Sequence, residues 1–126
     1  MTGFMRFAFG AAVLLAVVLA LWPSAPDLPG DPSDVLQHAA AFLTLTVLGG
    51  LAYPRAPLVV LFGAMALLGA GIELAQMIPQ LHRQADSADL MVDVLAAAAG
   101  LLVVAGVRRW QGRDAERAEH VESPEH

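Results

Sequence analysis

Cysteine and lysine are both missing from this chain of 126 residues. Without cysteine there is no disulfide, no thiolate metal ligand and no thiol nucleophile. Without lysine, every permanently cationic side chain is an arginine. Charge of either sign is scarce: 15% of the residues are charged, where soluble domains carry roughly 25%. What fills the gap is apolar, at 57% hydrophobic residues and a mean hydropathy of +0.61. This balance excludes an ordinary soluble enzyme, a nucleic-acid binder and a redox protein, and it calls for a bilayer as solvent. The net charge of −5 owes much to the C-terminal tail and says little about a partner surface. No repeat, Gly-rich phosphate loop or nucleic-acid motif occurs.

The length allows one domain, and the ionisable residues are gathered into short gaps and the tail. Crossing a hydrocarbon core takes about 20 apolar residues in a helix. Four segments qualify, at about 4–22, 35–53, 58–78 and 90–107. The expected fold is therefore all-α, a polytopic membrane bundle of four transmembrane helices. The first span stops at Trp22-Pro23 and gives way to a proline-rich stretch that cannot be helical. Ser33 or Asp34 is placed to cap the second span, which ends at Tyr53-Pro54. The third runs into Pro79, and Asp86 or Ser87 can cap the fourth. Arg6 before an apolar run also has the form of a signal sequence, but the run is long and Trp22-Pro23 is a poor cleavage site.

Arginine placement sets the expected orientation, because short loops rich in arginine stay in the cytoplasm. Arg6, Arg55, Arg108, Arg109, Arg113 and Arg117 fall on one side, and only Arg83 falls on the other. This reading puts both termini in the cytoplasm of an inner, cytoplasmic membrane. Residues 1–110 form the transmembrane domain, and 111–126, with mixed charge and no apolar periodicity, are expected to be a disordered cytoplasmic tail.

The polar residues inside the spans lie towards the outer leaflet. Asp34 and His38 are four apart and share a helical face, Glu73 and Gln76 are three apart, and Asp89 and Asp93 are four apart. Glu73 lies about 9 Å below Pro79 at 1.5 Å per residue. Charge at that depth costs several kcal/mol, roughly, so such groups face the bundle interior, pair, or line a wet cavity. Small residues continue the same faces: Gly69 in span three, Ala96 and Gly100 in span four. Phe42, Leu45 and Gly49 lie below His38. The stripe of Ala12, Ala16 and Ala20 reads as the packing surface of span one. Spans two to four are expected to form a shared, outward-opening polar pocket, with span one as its buttress.

The order Asp34-x-x-x-His38-x-x-x-Phe42, Glu73-x-x-Gln76, Pro79, Arg83, Asp89-x-x-x-Asp93 and Gly100 resembles the VanZ-like family of small bacterial membrane proteins, over residues 34–107. Val35 stands where that family often has lysine, Gln80-Leu81-His82 interrupts its common Pro-Gly-Arg, and Asp93 and Ala96 replace a usual Asn and Gly. The resemblance implies a cell-envelope location, and its founding member is associated with low-level resistance to the antibiotic teicoplanin. It implies no particular reaction.

Three uses of the pocket are open. It can bind an envelope lipid, a lipid-linked ligand or a partner protein, with Asp34, Gln76, Arg83 and Asp89 as binding residues and Arg83 as a clamp for phosphate or carboxylate. It can act on such a lipid, with His38, Glu73 and Asp93 as catalytic acid, base or ligating groups. A divalent metal held by His38, Glu73, Asp89 and Asp93 would suit that second use. Or the polar groups can simply tie helices together: His38 to Asp93 or Glu73, Gln76 to Asp89, and Asp34 as a cap. Transport is disfavoured because the inner halves of the spans offer little beyond Thr44 and Thr46.

Overall fold

A computed structural model describes residues 2–21, 32–78 and 87–122, leaving the side chains of 32–35 and 87–89 outside the description. The described residues are helical with no strand: α1 (Thr2–Leu21), α2 (Pro32–Ala52), α3 (Leu58–Gln76) and α4 (Ser87–Glu122). Three helices, α1, α3 and α4, are long and apolar enough to cross a membrane; in α2 the apolar stretch is the shorter Leu36–Ala52. Consecutive helices run antiparallel. The start of α1, the end of α2 and residue 108 of α4 meet at one end, whereas Ala20, Gln76, His38 and Asp93 gather towards the other.

The expected spans fit these helices to within a few residues, with two corrections. α2 begins at Pro32, so Ser33 and Asp34 sit inside its first turn rather than ahead of it. Proline suits that place because a first-turn N–H has no intrahelical acceptor to lose. More substantially, α4 does not stop near Trp110. Instead of a disordered tail, 111–122 continue the helix, and every side chain from Arg109 to Glu122 is exposed. The physical reason is local. The stretch is rich in Ala, Arg and Glu, all good helix formers. Opposite charges recur three apart at Arg113/Glu116 and Asp114/Arg117. The span behind it has already met the nucleation cost, so each further residue only extends a ladder.

α2 is the central helix. It packs most extensively on α4, and also touches α1 and α3. Its inward face presents Phe42, Leu45, Thr46, Gly49, Gly50 and Ala52, all buried. Two glycines set the α2–α4 approach. A Cβ at Gly100 would lie 2.7 Å from Thr46 Cβ, and one at Gly50 would lie 2.5 Å from Val104 Cγ2. Neither is tolerable, so the helices are as close as they are because both positions lack a side chain. Phe42, Leu45, Met65, Ile72 and Ala97 form the apolar core, and α1 lays Ala12, Ala16 and Ala20 against it as expected. No residue of α1 itself is buried.

The arginine end is closed by hydrogen bonds that satisfy loop and helix-end carbonyls. Arg108 donates from Nη1 to Ala56 O (2.8 Å) and from Nη2 to Tyr53 O (3.1 Å). Arg6 donates from Nε to Ala52 O (3.3 Å), and its guanidinium lies 4.9 Å from the Tyr53 ring centre, within cation–π range. The last carbonyls of a helix carry the negative end of its dipole, which a guanidinium complements in both charge and donor geometry.

Candidate functional site

The polar end is organised around one pair. His38, on the first turns of α2, and Asp93, six residues into α4, place Nδ1 3.1 Å from Oδ1. The Asp93 side chain is 2% exposed and that of His38 is 15% exposed. The periodicity explains why they meet. On α4 the buried positions are Asp93, Ala97, Gly100 and Val104, at intervals of four, three and four, which is one face of a helix. Below Asp93 that face is small or branched, and it lies against the inward face of α2 that begins at His38. The continuation runs through Ala97, with Ala96 only partly buried on its flank.

Asp93 also touches α3. A Cβ at Gly69 would meet Asp93 Oδ2 at 3.4 Å, Asp93 Cβ at 3.5 Å and Leu90 Cδ1 at 3.2 Å. Asp93 is thus held between His38 on one side and bare α3 backbone on the other. Its Oδ2 is buried and accepts no hydrogen bond from the described residues. Glu73 is one turn further along the same face of α3, half-buried, with Oε1 shielded from solvent.

Gln76 continues that face and is 3% exposed. Its Nε2 donates to Ala20 O at 3.0 Å, and the expected bridge to Asp89 lies outside the described side chains. The acceptor belongs to the last turn of α1, where carbonyls lack intrahelical partners. The side chain therefore fastens α1 to the bundle, while its Oε1 is buried without a donor among the described residues. Gln76 is an interhelical tie, but to the buttress.

Among the described residues, no three His, Asp or Glu side chains are arranged to hold a metal ion. Asp89, one of the candidate ligands, has its side chain outside the description, as does Asp34; Pro79, Asp86 and Arg83 lie outside it altogether. The two threonines considered for a path through the inner leaflet are satisfied within α2. Thr44 Oγ1 donates to Ala40 O and Thr46 Oγ1 to Phe42 O, each at 2.7 Å. Their hydroxyl protons are thereby committed to their own helix.

The chemistry available follows from the pair. With its proton on Nδ1, the imidazole donates to the carboxylate, which fixes the ring and turns Nε2 into an acceptor. The carboxylate keeps a second oxygen pointed at Gly69. Sequence reasoning found both residues but missed the roles of Arg6 and Arg108, which it read only as charge. The missed signal was positional: each arginine sits at a span end level with the proline-terminated end of α2. No protein family, curated protein or solved structure matched this chain.

Proposed function

We propose that this chain is a four-pass protein of a bacterial cytoplasmic membrane, VanZ-like in its pattern, whose outward end binds an envelope lipid or lipid-linked ligand. The carrying observation is the His38–Asp93 pair, its carboxylate buried and set against the Gly69 face of α3. Packing α2 on α4 is already served by the Gly50 and Gly100 contacts, so an ionisable pair at this depth is costly for packing alone. The four-pass reading rests on the apolar stretch Leu36–Ala52 of α2, at the short end of the roughly 17–25 residues that cross a bilayer, within a helix of 21 residues. Cytoplasmic termini follow from Arg6, Arg55, Arg108 and Arg109 lying at one end.

The test is the lipid content of purified protein. Extracts of the wild-type chain and of His38→Ala, prepared from the same bacterial host, are compared by mass spectrometry. A lipid species enriched over bulk membrane in the wild type and depleted about tenfold in the variant is expected, a change equivalent to about 1.4 kcal/mol. Identical profiles would overturn the reading. The VanZ-like pattern adds an expected phenotype, a raised tolerance to teicoplanin on expression that His38→Ala removes.

A second reading, acid/base chemistry on the same lipid, is favoured by the imidazole being oriented by a carboxylate, the arrangement of a positioned base. It differs in its outcome for His38→Asn. That amide nitrogen stands where Nδ1 does and can preserve the hydrogen bond to Asp93 yet cannot take up a proton, so an enzyme would lose turnover while a binding protein keeps its lipid.

A further inference from the structure

Two buried acceptors at the polar end lack a donor among the described residues: Asp93 Oδ2 and Gln76 Oε1. They belong to residues only 1% and 3% exposed, enclosed enough to keep bulk water from both oxygens. Such a loss is retained only where something else supplies the donor. Both oxygens border the same face of α3, Asp93 Oδ2 beside Gly69 and Gln76 two turns on. Between them on that face is Glu73, a further carboxylate. Among the described residues, the near-lying side chains therefore offer oxygen acceptors and negative charge, and the imidazole of His38 already faces Asp93 Oδ1.

Resting on the proposed ligand pocket, we propose that the group it recognises is a primary ammonium, which donates an N–H to Asp93 Oδ2 beside Gly69. A primary ammonium carries three donors and a positive charge, and so matches the carboxylate oxygen of Asp93 and the neighbouring amide oxygen of Gln76, neither of which accepts a hydrogen bond from the described residues. A phosphate or carboxylate would meet repulsion there, and a quaternary ammonium has no N–H to give. Glycine at position 69 is part of the fit, because a methyl group in its place would stand 3.4 Å from Oδ2 and cover it. The amine can arrive on a lipid headgroup or as a free solute.

The full chain in phosphatidylcholine nanodiscs provides the test, since that lipid lacks N–H donors. Ethanolamine is titrated from solution, and phosphatidylethanolamine is added to parallel discs, with the thermal midpoint and the retained lipid as readouts. A saturable rise in midpoint is expected with one of them: ethanolamine assigns a free amine, phosphatidylethanolamine a headgroup. Asp93→Asn is expected to weaken it at least tenfold. Gly69→Ala is expected to do the same while leaving the unliganded midpoint nearly unchanged, as the 3.2 Å contact it makes is with the flexible tip of Leu90; it carries the test if Asp93→Asn fails to fold. The proposal falls if neither amine shifts the wild type, or if both variants respond as the wild type does. A His38-dependent response to ethylene glycol or phosphatidylglycerol, without one to the amines, would overturn the ammonium and keep the pocket. Absence of His38-dependent binding for every probe would overturn both.

Discussion

His38 and Asp93 stand 55 residues apart in the chain and 3.1 Å apart in space, and their contact helps join α2 to α4 at the polar end. Its energetic weight is bracketed by two cases. Neutral hydrogen bonds between membrane helices average about 0.6 kcal/mol, whereas stranding one partner of a buried charged pair costs about 3–5 kcal/mol. Because Asp93 is almost fully enclosed, His38→Leu belongs nearer the second, with an expected loss of roughly 2 kcal/mol or more. The double variant His38→Leu/Asp93→Leu should recover part of it. Unfolding in mixed detergent micelles measures both, and a coupling below about 0.5 kcal/mol would show the pair to be incidental.

The glycines divide into two classes with opposite expectations. Gly50→Ala and Gly100→Ala force a methyl group into Val104 and Thr46, both stiff β-branched side chains, and should each cost about 1–3 kcal/mol. Gly63→Ala and Gly71→Ala meet nothing within 4 Å and should be neutral or stabilising by up to about 1 kcal/mol, the ordinary helix preference for alanine. The same unfolding assay separates the classes. Equal effects at all four positions would contradict the α2–α4 packing.

Arg108 serves two carbonyls with one planar group. Arg108→Lys keeps the charge but presents a single point of donation, so it should recover less than half of the loss seen in Arg108→Gln, expected at about 1–3 kcal/mol. If lysine restores full stability, the arginine acts through charge and not through its fork.

Removing the exposed part of α4 should change helix content without changing stability. Truncation after Trp110 is expected to lower the helical circular dichroism signal in proportion to the residues lost, and to move the thermal midpoint by no more than a surface change does, within about 0.5 kcal/mol. A large drop in midpoint would mean that this segment packs on the bundle.

The sequence carried the architecture of the bundle and the central pair, because both follow from periodicity and from the cost of burying charge. Phe42, Leu45 and Gly49 are buried below His38, and the stripe of Ala12, Ala16 and Ala20 faces inward, since apolar and small residues at helical spacing admit few other arrangements. Three things escaped it. The partner of Gln76 turned out to be a backbone carbonyl of α1, an acceptor that every residue offers and no sequence pattern marks. Arg108 was hidden for the same reason, its acceptors being main-chain atoms of a loop. The helical 111–122 segment was missed because apolar periodicity reports burial, and an exposed helix has none to report.

The seat of α1 has a consequence for how the molecule comes together. With no enclosed residue, and 20 residues of high mean hydropathy, this helix can hold its place in lipid alone. Yet Ala52 and Tyr53, which receive Arg6, and Gln76, which donates to Ala20 O, are all synthesised later. Insertion and assembly are thereby uncoupled for this stave. It enters the bilayer ahead of α2 and α3, and its docking waits until they have arrived to build the wall it leans on.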